Sequence, residues 1–67
     1  MPLNNYGVYQ DGSNPVLWVK TSSPLVLSSE DQAQLYSEID AMTVANYLNS
    51  FGEETYRVGR PKNVPHH

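Results

Sequence analysis

"SEIDAMTVANYLNSFG", residues 37–52, is the stretch on which the fold turns. Ser37 stands where an N-cap hydroxyl can accept an orphan backbone N–H, and Asp40 follows three residues on, an acidic variant of the capping box. Glu38 and Asp40 put negative charge at the positive end of the helix dipole. Tyr36 and Ala41 occupy the two positions of a hydrophobic staple. Ala41, Val44, Ala45, Leu48 and Phe51 recur at helical spacing and form one apolar stripe. Gly52 suits the left-handed position that closes a helix. Start, stripe and stop agree on a helix.

The other side of this helix is unusual. Between Asp40 and Gly52 the chain carries no charged residue. At about 100° per position, Ile39, Met42, Thr43, Asn46, Tyr47 and Ser50 fall beside or opposite the stripe. Singly exposed apolar residues are ordinary. A charge-free surface holding Ile, Met and Tyr is what a protein contact looks like before it is covered. If Ile39, Met42 and Tyr47 each lost about 60 Å² of apolar surface, the gain would be roughly 4–5 kcal/mol before association costs. That is comparable with what one small core supplies.

Outward from the helix the chain reads as short strands. "VLWVKT", residues 16–21, has the β-branched and aromatic composition of a half-buried strand. Leu17, Val19 and Thr21 make its cleaner core face, with Val16, Trp18 and Lys20 opposite; Trp18 is large enough that both faces should touch something. "NNYGVYQ" precedes it as a shorter strand, and "QDGSNP" between them is a turn. After the break "SSP" comes "LVLS", 25–28. The expectation for the next stretch is a hairpin of 25–28 with "AQLYS", 33–37, across the turn "SSEDQ"; the alternative is a helical turn over 29–36, capped by Ser28 with Asp31. "ETYRVGR", 54–60, is a last strand with Tyr56 and Val58 on one side, Arg57 outward, and Gly59 and Pro61 ending it. The order predicts an α+β fold: a small antiparallel sheet of three to four strands, β-β-(β)-α-β, with one helix across one face. Residues 1–61 are expected to form a single domain and 62–67 a flexible tail, in which His66 and His67 read as a tag remnant or frayed end.

Composition narrows the chemistry. A 67-residue chain has little interior, and without cysteine it has neither disulfides nor thiolate metal sites to reinforce it. Tight packing or a partner must serve instead. No secretory leader or membrane-length apolar run is visible, so a cytoplasmic domain is expected. The net charge is −3, and the acids Glu30, Asp31, Glu38, Asp40, Glu53 and Glu54 precede the bases Arg57, Arg60 and Lys62. Glu30/Asp31 and Glu53/Glu54 are sequence neighbours, which diverge on a strand and hydrate in a turn, whereas acid–base catalysis needs them convergent. The histidines are terminal, and the glycines lack phosphate-loop spacing. No enzyme, cofactor or metal is expected, and no family resemblance declares itself.

Two binding readings remain. The first is a module that docks on a larger protein as a regulator or inhibitor, or on its own copy as a homodimer, through Ile39, Met42 and Tyr47 on the helix with Trp18 and Arg57 on the sheet. Small acidic domains of this type are frequent among bacterial and phage accessory proteins, an analogy of class alone. The second is single-stranded nucleic-acid binding by Trp18, Tyr56, Arg57, Arg60 and Lys62, through ring stacking and phosphate contacts. A structural subunit of a homo-oligomer is a third possibility.

Overall fold

The fold is taken from a computed structural model, which describes residues 4–62. His66 and His67, and the rest of the expected tail beyond Lys62, lie outside the described residues. Strands β1 (Gly7–Gln10), β2 (Leu17–Ser22), β3 (Leu25–Ser28) and β4 (Tyr56–Gly59) form an antiparallel sheet in the order β3-β2-β1-β4. Helix α1 (Glu38–Asn49) lies between β3 and β4 in sequence and packs against β1 and β4. This is the expected α+β architecture.

The helix starts where its chemistry says it should. Ser37 is extended, and its Oγ accepts the Asp40 N–H at 3.2 Å. Ala41, Ala45 and Leu48 join Val8, Val19 and Tyr56 in the core, with Tyr6, Leu27, Tyr36, Val44 and Val58 packed around them. Phe51 departs from the expected stripe. The helix ends at Asn49, Gly52 adopts φ +74° two residues beyond the cap, and Phe51 falls past the last turn, 58% exposed. A helical projection counts it as core only if the helix continues that far.

The second departure concerns residues 25–37. Leu25–Ser28 pairs with β2, not with 33–37, across the two-residue turn Ser23–Pro24. A break that short folds 17–22 onto 25–28 at once, so β3 has its ladder before "AQLYS" is reached. Glu30–Gln32 is a 3₁₀ turn, and its cap position is Ser29, not Ser28; the Ser29 hydroxyl donates to the Asp31 carboxylate instead of capping an N–H. The following segment works as a wedge. Gln34 N–H donates to the Val19 carbonyl at 3.0 Å, and Tyr36 exchanges both backbone bonds with Tyr6, at 2.7 and 3.0 Å. It therefore bridges β2 and the chain entering β1.

A register shift between Val19 and Thr21 inserts Lys20 as a bulge in β2. One extra residue reverses the facing of everything beyond it and bends the strand. Thr21 is accordingly exposed rather than on the core face, and its Oγ1 donates to the Pro24 carbonyl at 2.6 Å. At the other turn, the Ser13 hydroxyl donates to Gln10 O and accepts from Leu17 N–H, both at 2.9 Å, clipping the end of β1 to the start of β2. The peptide bonds Asn14–Pro15 and Ser23–Pro24 are cis.

The face of the sheet away from the helix has its own packing. Gly7 and Gly59 are direct cross-strand partners, and the Trp18 ring lies over them, 7% exposed. Tyr9 packs on Trp18 with ring centroids 5.1 Å apart, and Pro61 closes the far side. Two glycines in register make the shallow bed that an indole needs to lie flat on a sheet.

Candidate functional site: an apolar groove beside the helix

The helix covers the β1–β4 half of the sheet and leaves its other flank open. On that flank the tip of the β2–β3 hairpin faces the C-terminal half of α1. Pro24 and Leu25 form one wall, Tyr47 and Phe51 the other, with Leu48 and Tyr56 completing a groove of about 300 Å³. Tyr47 and Phe51 meet edge to face at 5.2 Å. Leu25 is 43% exposed and Tyr47 50%. The remaining lining residues are Ser22, Ser23 and Glu53, so the groove carries one charge, at its rim. Burial pushes the Tyr56 phenol upward from its ordinary value, and the carboxylates of Glu54 and Glu53 add to this. Burial likewise raises Tyr36, against a smaller opposing hydrogen bond with Ser22.

The expected docking residues divide between three places. Ile39 and Met42 are exposed, at 76% and 53%, on the outermost line of the helix. Tyr47 is turned away from them, into the groove. Trp18 is on the opposite face of the sheet with almost all of its surface covered by the molecule itself. Arg57, on that same face, is held by Asp11, with Nε 2.9 Å from the carboxylate; this bond and the charge beside it raise the guanidinium's pKa further. The groove residues that sequence reasoning did not group with Tyr47 are Phe51, expected in the core, and Leu25, whose strand does pair but whose side chain lines the groove. The aromatic pair at i and i+4 was a legible signal for the first.

The nucleic-acid set is also divided. Tyr56 is buried on the helix side of the sheet, whereas Trp18 and Arg57 are on the other. Arg60 sits 5.5 Å from the Tyr6 ring centroid as a cation–π pair. Arg60 and Lys62 do share a hollow of about 330 Å³ with Tyr9, Val16 and Trp18, but Glu30 enters it and accepts the Lys62 backbone N–H.

The class defined so far is a four-stranded antiparallel α+β domain with an apolar groove along one flank of its helix. No family model matches the chain, no curated protein matches it, and no solved structure matches it. Among the described residues no helix is long and apolar enough to cross a membrane, and no group of three or more His, Cys, Asp or Glu residues is placed to hold a metal ion.

Proposed function

We propose that this domain is a small accessory protein that works by docking on a larger protein, as its regulator or inhibitor, through the groove between α1 and the β2–β3 turn. The observation that carries this reading is the grouping of Leu25, Tyr47 and Phe51, all substantially exposed, around one concavity without a basic residue in it. Apolar groups spread singly over a surface need no partner; three gathered around a concavity are a ready pocket for an apolar anchor. Met and Tyr favour such contacts, and Ile39 and Met42 extend the apolar surface along the helix. The groove is the better centre because it is concave, and a side chain entering it loses water on several sides. Tyr47→Lys and Phe51→Lys should each abolish capture of the partner while near-ultraviolet circular dichroism from Trp18 is unchanged. Capture at undiminished strength by both folded variants would end the proposal.

A second reading, single-stranded nucleic acid in the hollow beside Tyr9, is supported by the meeting of two aromatic rings with Arg60 and Lys62. Titrating Trp18 fluorescence with oligonucleotides at two salt concentrations tests it. Counterion release predicts strong salt dependence, and an unquenched signal at low salt eliminates the reading.

A further inference from the structure

The two edges of the sheet are treated differently. At β4, the Asp11 N–H bonds to Thr55 O at 2.8 Å, which makes 11/55 a hydrogen-bonded pair. By alternation, Tyr56 and Val58 then turn their amide and carbonyl away from β1. The Asn49 side chain meets Tyr56 there: its Nδ2 donates to Tyr56 O at 3.0 Å and its Oδ1 accepts Tyr56 N–H at 2.7 Å. One amide side chain thus imitates a neighbouring strand at Tyr56 and occupies that part of the edge. The other edge, β3, has no such device. Among the described residues nothing pairs with its outer side. Its sequence, Leu-Val-Leu-Ser, has no charge and no proline within it, and Leu25 and Val26 are exposed. Like β4, β3 is short, at four residues, but it carries none of the charge, proline or bulge by which sheet edges otherwise discourage association.

We infer that β3 is a dimerisation edge, and that its occupant is the β3 of a second copy, paired antiparallel about a two-fold axis. The second copy is favoured because β3 fits itself. Residues directly opposite in an antiparallel pair point to the same face, so Leu25 and Leu27, on the helix side, must meet like-facing partners. Two registers do this. Val26 opposes the partner's Val26 and Leu25 opposes the partner's Leu27, or Leu27 opposes the partner's Leu27 and Val26 opposes the partner's Ser28. Neither sets charge against like charge, although each chain is acidic. One contact satisfies two open edges, whereas any other occupant must supply an unpaired strand of its own. The joined sheet has eight strands, with both helices and both grooves on one side. This inference does not depend on the docking role of the groove.

The test is solution mass by sedimentation across a wide concentration range, on the full chain and on Val26→Lys, Tyr47→Lys and Val16→Lys. The expected result is a dimer for the full chain, Tyr47→Lys and Val16→Lys, and a monomer for Val26→Lys. Amide exchange on the unaltered protein gives a second readout independent of variant folding: protection within 25–28 should rise with protein concentration. A folded monomer at every concentration, with exchange in 25–28 independent of concentration, would overturn the inference. So would a dimer dissolved by Tyr47→Lys but untouched by Val26→Lys, since its contact would then be the helix.

Discussion

At the scale of single residues the facing glycines carry more than their size suggests. A Cβ on Gly7 would stand 3.0 Å from two carbons of the Trp18 ring and 3.1 Å from Pro61; on Gly59 it would stand 2.9 Å from the Tyr9 ring. Replacing glycine by alanine in a strand gains about 0.5–1 kcal/mol in backbone entropy. Overpacking costs about 1–3 kcal/mol. At Gly7 the clash wins, because the indole has sheet on one side and Tyr9 and Pro61 around it. Gly7→Ala should therefore lower the denaturant midpoint, by about 1–2 kcal/mol in stability once both effects are counted, while an unchanged midpoint would mean that Trp18 has room to move. None of this was legible beforehand. "NNYGVYQ" and "YRVGRPK" show where strands begin and end, but not that two glycines 52 positions apart meet under a tryptophan.

Tyrosine chemistry gives a second prediction at this scale. Tyr56 and Tyr36 both have pKa values raised above 10.0, mainly by burial. The folded state then holds its phenolic protons more tightly than the unfolded state, so their contribution is intact below pH 10 and is lost as pH climbs through the folded-state values. Urea midpoints measured from pH 8 to pH 11 should be level at first and fall beyond pH 10. Tyr56→Phe keeps the ring and removes one titration, and should make the fall shallower. A fall of equal steepness in the variant would place the alkaline sensitivity elsewhere.

Elements were legible in proportion to how local their signals are. Helix α1 needed only its own residues: a cap, a stripe and a terminal glycine, all within sixteen positions. Ser37→Ala should cost about 1 kcal/mol by urea melting, as lost N-caps do. Strands β2 and β4 were also visible, since alternation and β-branching are local. The region 25–37 was not, because two hairpins compete for "LVLS" and the choice depends on which partner closes the shorter loop. The Lys20 bulge was equally hidden; it is a mismatch between two strands and exists only in their pairing. In sequence Asn49 is one polar residue near a helix end, yet it satisfies the outward backbone groups of Tyr56 on the β4 edge. Asn49→Ala should lower stability by about 1–3 kcal/mol through two lost hydrogen bonds, read from thermal or urea unfolding.

On the scale of the whole molecule, the charge-free helix surface proved to be two surfaces. Ile39 and Met42 crown the helix, while Tyr47 turns into a groove that also needs Leu25 from a hairpin tip more than twenty residues away in the chain. That distance is why the sequence showed a charge-free helix face but not the groove beside it. A domain of this size has little core, and the apolar surface left outside it is large for the stability it forgoes. Should two copies join at β3, their grooves face the same way, and a partner with two anchors would be gripped at both, with a gain set by effective concentration.

The most direct test of the docking claim places a photo-crosslinking amino acid at Phe51, in the groove, and at the exposed Asn14 and Gln32, outside it, in separate copies of the protein expressed where it naturally works. The account predicts one dominant adduct of defined mass from position 51, weak or absent from the other two, and removed when Tyr47→Lys is added in the same chain. Equal adducts from all three positions, or none from position 51 in a folded protein, would contradict it.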